Sequence, residues 1–517
     1  MPSITSKKLG YNTAKLWRNV LYNSGATDAV LYISIGNHIV YANESSPDSI
    51  VDTISTEKTV WDNSYAAKRL TANDIELVTP KINWSGNTKF RQYDDTISPA
   101  DLLSSNTSQN LKPMYVITTN RDVYKCVSNN SSANSTVIPT GDYTTSNGNI
   151  ATADGYIWKY MYNVKPSNKF LTTDWVPAPI STNQLDYNVS NTNVIDVELA
   201  SIIVTASGSG YYNRIVTVSA FATGCSTLQL ANTSNVSANM SVTGTGIFAG
   251  SYISSVDTLN SRITLSTAVT ANGGGTGNNI TISTRVYIYG DGTGTVATAA
   301  LSSGNNVSNI TVSTIGTGYS FANVYIYGSG TSANARAILP PKYGHAYNPA
   351  QELGASNIMV ATRIGEIDST EGGLISSNTT FRQYGLLVNP HKYGNTSAVT
   401  YATANSVISQ TTDINLVAGA IYALDEIVYQ GSSVSNASFI GNVNAQTANL
   451  LKLSRVRGTI LPGAVLIGAT SGTSRTVVSK INPEFQPYSG DFVYVENISK
   501  TQRIDGQAEN IKLVVSF

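Results

Sequence analysis

The stretch from residue 490 to residue 517 decides how the chain is organised. It begins with Gly490-Asp491-Phe492-Val493-Tyr494-Val495-Glu496-Asn497, passes a polar turn at Gly506, and ends with Ile511-Lys512-Leu513-Val514-Val515-Ser516-Phe517. Apolar, β-branched and aromatic residues alternate or run together over strand length in both halves, which is typical of strands. Because the last residues are apolar, we expect the final strand to lie in a sheet beside partners far back in the sequence.

The composition favours a mainly β protein of several domains. Charged residues are 12% of the 517 residues, about half the usual share, while Ser, Thr, Asn, Gly and 30 Tyr dominate the polar surface. Residues 10–24 predict an amphipathic helix that ends at Asn23-Ser24-Gly25, and Ser55–Leu70 predicts a weaker second helix. We therefore predict a layered β-sandwich core with one or two short helices and two inserted small β-sandwich or barrel modules.

The charge pattern argues against several classes of partner. The 32 basic and 32 acidic residues balance and form no basic block, so we expect no nucleic-acid partner. No apolar run of about 18 residues predicts membrane insertion, and no N-terminal secretion signal is visible. Cys126 and Cys225 lack the spacing of a zinc site, and we expect no disulfide between them. These features fit a virion component that is made in a cytoplasm.

The first block, residues 1–195, contains the most distinctive strand. It reads Asp154-Gly155-Tyr156-Ile157-Trp158-Lys159-Tyr160-Met161-Tyr162, with aromatic residues on both faces, which is typical of a central strand covered on both sides. Residues 114–117 and 122–127 predict a hairpin, and residues 128–150 predict an exposed loop. Strands are also predicted at 30–35 and 74–78.

Two insertions interrupt this block and its continuation. In residues 196–340 the unit strand–GxGY–strand occurs twice, with Gly208-Ser209-Gly210-Tyr211 before Val216-Thr217-Val218 and Gly316-Thr317-Gly318-Tyr319 before Val324-Tyr325-Ile326, so we predict a duplicated β module. A nested unit is expected at about 222–283. Residues 341–404 return to the core, residues 405–482 predict a small barrel or sandwich, and residues 483–517 close the core.

Four groups of residues outside the insertions carry a family resemblance. They are Pro80 with Trp84-Ser85-Gly86-Asn87-Thr88; Val123-Tyr124-Lys125-Cys126; Asp154 through Tyr160 with Pro166 and Trp175-Val176-Pro177; and Ser489-Gly490-Asp491 through Tyr494, Glu496-Asn497 and Glu509-Asn510-Ile511 through Phe517. In this order they resemble segments of the contractile-tail baseplate wedge subunit called gene product eight in T-even phages. The resemblance covers roughly residues 10–195, 341–400 and 483–517.

The resemblance implies a β-sandwich core, a homodimer within a wedge, and contacts with other wedge subunits of the gene-product-six, -seven and -ten types. It also implies a non-enzymatic structural role in the virion tail baseplate after synthesis in the host cytoplasm, and we predict no cofactor or metal. The candidate core and assembly residues are Tyr156, Trp158, Tyr160, Trp175, Tyr494, Glu496, Asn497 and Phe517.

Two features depart from the family pattern. Ile498-Ser499-Lys500 stands where the family has a basic, proline-containing segment. The resemblance therefore does not predict the contacts of this segment. The two insertions are absent from the short T-even form, so their partners do not follow from the resemblance.

Residues that could carry catalysis have simpler interpretations. His38, His345 and His391 are far apart without a nucleophile motif, and adjacent acids such as Asp94-Asp95 and Asp425-Glu426 are typical of turns. The glycines of residues 290–294 lack the Lys-Ser/Thr of a phosphate loop and predict a hairpin turn. We therefore predict that the protein is not an enzyme.

Two functions remain to be weighed. The first is a structural wedge protein, which the aromatic core strand and the low charge favour, because permanent interfaces are depleted of charge and rich in aromatic residues. The alternative is a receptor-binding or glycan-binding tail protein with the inserted modules as adhesive heads. Exposed tyrosines could stack on sugars, but interface and strand positions also favour tyrosine.

Overall fold

The computed structural model describes residues 7–22, 30–145, 148–180, 198–199, 201–275, 279–364, 379–395, 407–504 and 507–517. These residues form a mainly β fold, as predicted. The chain divides into two compact units: unit 1 contains Thr79–Ala355, and unit 2 contains Leu9–Val78 and Ser356–Phe517. The segments expected to form one core are therefore distributed over both units, and the boundaries expected near residues 195 and 404 lie outside the described residues.

Four helices are described: α1 (Lys7–Tyr22), α2 (Ile54–Asn63), α3 (Pro99–Leu102) and α4 (Pro349–Glu352). Helix α1 buries Tyr11, Ala14 and Arg18 at helical spacing, and Leu16, expected on the apolar face, is exposed. The predicted end of this helix at residues 23–25 lies outside the described residues. Single 3-10 turns occur at Ala72–Asp74 and Val434–Asn436.

The second predicted helix is wrong beyond Asn63. Helix α2 begins with Thr53 as its N-cap, whose hydroxyl accepts a hydrogen bond from the Thr56 amide at 3.1 Å. The chain then turns into a strand at Ser64, and Tyr65 is buried in a sheet instead of on a helix. Both faces of this strand are buried, so its sequence lacks the alternation of apolar and polar residues that would have indicated a strand.

The strands of the first block are β1 (Leu31–Gly36), β2 (Ser64–Arg69), β3 (Ile75–Pro80), β4 (Lys89–Phe90), β5 (Leu111–Lys112), β6 (Tyr115–Ile117), β7 (Asp122–Asn129), β8 (Asn149–Ala151), β9 (Tyr156–Asn163) and β10 (Trp175–Pro177). Those of the first insertion are β11 (Ser201–Ser209), β12 (Arg214–Thr217), β13 (Thr227–Gln229), β14 (Ser241–Gly244), β15 (Ile253–Asp257), β16 (Arg262–Leu265), β17 (Asn279–Ser283), β18 (Arg285–Gly290), β19 (Val296–Leu301), β20 (Val307–Thr314), β21 (Ala322–Tyr327) and β22 (Thr331–Ile338).

The remaining strands are β23 (Asn357–Ile364), β24 (Thr380–Val388), β25 (Val407–Ser409), β26 (Thr412–Leu416), β27 (Ile427–Gln430), β28 (Phe439–Thr447), β29 (Leu450–Gly458), β30 (Val465–Gly468), β31 (Ser474–Ile481), β32 (Asp491–Gln502) and β33 (Glu509–Ser516).

Unit 2 contains a β-sandwich that the terminal strands complete. One sheet has the order β25-β2-β1-β24-β32, and a second contains β3, β23 and β33 in that order. Strand β33 pairs with β23 in antiparallel register from Asn357–Ser516 to Ile364–Glu509. The prediction that the last strand pairs far back in the sequence is confirmed, and the two terminal strands enter different sheets.

Unit 2 also contains a closed barrel of six strands, in the order β26-β29-β28-β27-β30-β31 with β31 returning to β26. The barrel encloses a continuous apolar core that includes Ile414, Phe439 and Leu466. Of the two forms that the sequence allowed for this segment, the structure adopts the barrel.

In unit 1 the aromatic strand β9 lies between β7 and β8 in the order β6-β7-β9-β8. Separate apolar clusters cover its two faces, which confirms a central strand; Trp158 belongs to one cluster and Met161 to the other. The predicted hairpin of β6 and β7 is also present. The predicted exposed loop at 128–150 is partly wrong, because Ser135 is fully buried and accepts a hydrogen bond from Trp84 Nε1 at 3.2 Å.

The duplicated module of unit 1 is a six-stranded sheet with the order β11-β22-β21-β18-β19-β20. One copy supplies β11, β18 and β19, and the other supplies β20, β21 and β22. Each outer strand pairs with the other copy, so the order reads the same in both directions when the copies are exchanged. The repeat is therefore an intertwined pair with approximate two-fold symmetry.

The nested unit begins earlier than residue 222. Val216, expected as part of the first repeat, lies in β12 and pairs with Ile280 of β17. Two three-stranded sheets, β12-β17-β14 and β13-β16-β15, enclose a core of their own that includes Val216 and Val242. The insertion therefore separates the first GxGY motif from its true second strand, β18.

Candidate assembly surface

Three of the sequence-predicted residues are core residues of unit 1. Trp158 stacks on Tyr156 with ring centroids 5.5 Å apart, and Phe90 meets it edge-on at 5.4 Å. Tyr160 packs edge-on against Tyr124 at 5.7 Å. The Tyr156 hydroxyl donates to the Ala133 carbonyl at 2.6 Å, and burial raises the pKa of that phenol. These side chains hold unit 1 together and leave little surface for a partner.

Trp175 stands at the start of β10 and is only partly buried. Its amide donates to the Thr172 hydroxyl at 3.0 Å, while the next residue, Val176, joins the apolar cluster of Met161. Trp175 is therefore anchored through its backbone and its neighbour, and the residue stays partly exposed.

The other predicted residues lie in unit 2, on the terminal strands. Tyr494 of β32 donates its hydroxyl proton to Glu496 Oε2 at 2.8 Å. Burial, together with the nearby Glu496 carboxylate, raises the pKa of Tyr494 to about 12. The phenol therefore stays protonated at neutral pH and remains a donor to Glu496.

Asn497 connects β32 to neighbouring residues through both the oxygen and the nitrogen of its side-chain amide. Its oxygen accepts from Gln383 Nε2 at 2.7 Å, and its nitrogen donates to the Asp48 carbonyl at 2.8 Å. Gln383 in turn accepts from Asn63, the fully buried last residue of α2, at 3.2 Å. The Glu-Asn pair of the sequence motif thus fixes the position of the terminal strand.

Phe517 closes one end of the sandwich. Its ring centroid lies 6.1 Å from that of Trp17, and its amide donates to the Ser356 carbonyl at 3.1 Å. Phe517 is 39% exposed. It borders a cavity of about 60 Å³ between the two sheets, whose lining also includes Val493 and Tyr494. The last residue of the chain is therefore ordered by contacts and still open to a partner.

Strand β32 is an edge strand with two irregularities. Within the described part of the chain it pairs with β24 alone. Val493 is an extra residue between the Leu386–Tyr494 and Leu387–Phe492 pairs, and this bulge turns both Val493 and Tyr494 toward the cavity. Farther along, residues 498–500 stand opposite the single residue Arg382. The segment that departs from the family pattern is thus a second bulge on the same edge.

Sequence reasoning missed a buried charge cluster in unit 1. Lys125 of β7 and Lys159 of β9 are directly opposite each other, and each binds its own carboxylate: Lys125 that of Glu352, and Lys159 that of Glu198 at 3.0 Å. The sequence feature that pointed to this cluster was a pair of lysines, one on each of two apolar strands. A buried ammonium group needs a carboxylate partner, so two such lysines predict two buried acids.

His345 lies against this cluster and is buried, as an ordinary core histidine would be. Its ring meets Tyr93 edge-on at 4.9 Å, and its Nδ1 is 3.8 Å from Glu352 Oε2. Burial, reinforced by the Lys125 ammonium, lowers the pKa of His345 to about 3. The pKa of Glu352 would rise on burial, but Lys125 holds it below its usual value. The histidine is therefore neutral at neutral pH.

The adjacent acids have structural partners. Asp94 and Asp95 both bind Arg336, and Asp425 accepts from Asn37 Nδ2 at 2.6 Å. Glu426 accepts from the Ser471 amide at 2.9 Å and fixes a turn of the barrel. These contacts account for the carboxylates as fold-stabilising groups.

Among the described residues, no group of three or more His, Cys, Asp and Glu side chains is placed to hold a metal ion. Within the same ranges, no helix has the length and apolar character needed to cross a membrane.

No protein-family model matches the chain, and a search of the curated proteins finds no match.

Proposed function

We propose that the protein is a structural subunit of a contractile-tail baseplate wedge, which holds neighbouring subunits at fixed geometry until contraction rearranges them. The supporting observation is the edge strand β32. The motif residues Tyr494, Glu496 and Asn497 lie on it, and Val493 beside them is 44% exposed. Apolar side chains exposed on this edge offer a surface against which a second chain can pack.

The position of Phe517 supports the same proposal. The C-terminal residue is held by Trp17 and Ser356 at the mouth of the sandwich, beside the Val493 bulge. Apolar side chains from both terminal strands thus meet at one cavity. A second copy of the chain seated on this edge would form the homodimer expected within a wedge.

Co-purification tests the wedge role. The full chain, tagged at its N-terminus, is co-expressed with the wedge subunits of the gene-product-six, -seven and -ten types encoded in the same genome. We expect at least one of them to co-purify with the chain through size-exclusion chromatography. A chain that elutes without any of them, while those subunits assemble with one another, would contradict the proposal.

A further inference from the structure

The outer face of the duplicated sheet carries a cluster of three tyrosines. Tyr287 of β18 lies directly opposite Tyr325 of β21, and Tyr327 is the next outward residue of β21. The three ring centroids are 6.3–6.4 Å apart, and the rings are inclined to one another by 12–37°. We call these three residues the tyrosine platform.

The inner face of the same two strands already provides the core. Val286, Ile288, Val324 and Ile326 alternate with the tyrosines and pack into the apolar cluster of the sheet. By contrast, Tyr287 is 39% exposed and Tyr325 is 46% exposed. More than a third of each of these two residues stays exposed, and adjacent exposed rings form a patch that another molecule can contact.

The platform continues at both ends. Arg285, opposite Tyr327, places its guanidinium 5.0 Å from the Tyr287 ring centroid and 4.1 Å from that of Tyr252 in the nested unit. At the other end, Tyr289 meets Phe321 with centroids 6.3 Å apart. Aromatic rings therefore extend along the strand direction across the middle of the repeat. A row of rings can contact an extended ligand at several points, which a single ring cannot do.

The charges around the platform decide the kind of ligand. Among β18–β22 the basic residues are Arg285 and Arg336, and Arg336 is bound to Asp94 and Asp95. A nucleic acid could stack its bases on the rings, but it needs several cations for its phosphates. Asp291 is the acidic residue of these strands and their turns, and its carboxylate accepts a hydrogen bond from the Ser320 amide at 2.8 Å. The surface thus suits an uncharged ligand.

Its hydroxyl groups favour a polar ligand over a protein surface. Every ring of the platform carries a phenol, and Thr298 and Thr311 lie exposed and paired on the next two strands. A permanent protein interface would bury these groups over about 800 Å² per partner and would require each to be paired. Sugar rings instead present C–H groups to an aromatic face and hydroxyls at their rim.

We propose that the tyrosine platform binds a neutral polysaccharide chain that runs along the strands, with its pyranose rings lying over the triangle of Tyr287, Tyr325 and Tyr327. Arg285 donates hydrogen bonds to sugar hydroxyls at one end of the chain. This binding goes beyond the wedge role, since it needs neither the β32 edge nor a second copy of the protein.

Affinity electrophoresis of the full chain tests the proposal. Native gels contain dextran, mannan, hydroxyethylcellulose, laminarin or glycol chitin, and mobility is compared with a gel without polysaccharide. We expect at least one of these neutral polymers to retard the chain. Normal mobility in all five gels would overturn the proposal.

Variants then locate the binding. Tyr287→Ala/Tyr325→Ala should weaken the retardation at least about tenfold in apparent affinity, as for loss of central aromatic contacts. Tyr287→Phe/Tyr325→Phe should retain it within about threefold. The matched control is Tyr343→Ala/Tyr347→Ala, another exposed tyrosine pair, with centroids 4.8 Å apart.

Equal weakening in the control, or unchanged retardation in the Tyr287/Tyr325 alanine variant, would overturn the assignment. Light scattering of the Tyr287/Tyr325 alanine variant tests whether a second copy of the chain, and not a polysaccharide, occupies the platform. A change from dimer to monomer with unchanged polysaccharide binding would make the platform an interface between copies and would also overturn it.

Discussion

The ring of Tyr211 lies so close to Gly330 that a Cβ at this glycine would come within 2.4 Å of the Tyr211 Cδ2 atom. The relationship recurs between Tyr319 and Gly292, where the same distance is 2.4 Å. Each GxGY tyrosine therefore packs on a glycine of the other copy. The motif that revealed the repeat in the sequence is the device that joins its two halves.

Gly330→Ala and Gly292→Ala should each destabilise unit 1 by about 1–3 kcal/mol, since the added methyl overlaps an aromatic ring and a backbone carbonyl. Urea unfolding followed by fluorescence measures the change. Gly304→Ala is the control, because a Cβ there would meet nothing closer than 3.7 Å. Loss of stability at one glycine alone would contradict the two-fold relationship.

The sequence predicted this repeat but misplaced one of its strands. The repeat unit placed Val324-Tyr325-Ile326 in the second strand of one copy, and the structure has this segment in β21, which pairs with β18 of the other copy. Val216-Thr217-Val218 was also strand-like and lies only a few residues after Tyr211. Local pattern identifies a strand without naming its sheet, because partner choice depends on contacts between distant residues.

The candidate assembly residues were predicted with similar limits. Phe517 and Tyr494 were expected to close a core, and they border one cavity of unit 2. The bulge at Val493 could not be predicted, since it depends on the register with β24. The lysine pair at 125 and 159 was visible, but its carboxylates lie at Glu352 and Glu198, beyond the range of local patterns.

His345 should make unit 1 sensitive to acid. Its pKa is about 3 in the folded state, so below pH 6.5 the unfolded chain binds a proton that the folded chain does not. Stability from this group is present above pH 6.5 and falls by about 1.4 kcal/mol per pH unit between pH 6.5 and about 3. The lowered pKa of Glu352 adds a loss at the acidic end.

The His345→Gln variant should lose the part of this slope between pH 6.5 and 5, as measured by urea midpoints at several pH values. His391→Gln, which changes a partly exposed histidine of unit 2, serves as the control. An unchanged slope in His345→Gln would show that the buried histidine is not the titrating group.

The Lys159–Glu198 pair should show strong coupling. Glu198→Leu alone removes the Glu198 carboxylate from the buried Lys159 ammonium and should cost about 3–5 kcal/mol of unfolding free energy. Adding Lys159→Met removes that ammonium and should recover most of the loss. A double-mutant cycle in urea measures the coupling, and simple additivity of the two changes would contradict a direct ion pair.

The two thiols should react at very different rates. Cys126 is fully buried in the aromatic cluster, and burial raises the pKa of its thiol well above its usual value. Cys225 is only partly buried. A thiol reagent such as DTNB should label one cysteine in the native protein, and Cys225→Ser should abolish that reaction. Rapid labelling that persists in Cys225→Ser would place Cys126 at an accessible surface.

The central claim is that the chain associates through the β32 edge, and light scattering of the purified full chain tests it most directly. At micromolar concentration we expect twice the mass of the 54.9 kDa chain. Val493→Lys should yield a monomer, because a charge at the bulge opposes apolar contact. Val478→Lys, at a 54% exposed valine of the barrel, should remain a dimer. A monomeric or trimeric wild-type chain, or a dimer that Val493→Lys leaves intact, would contradict the account.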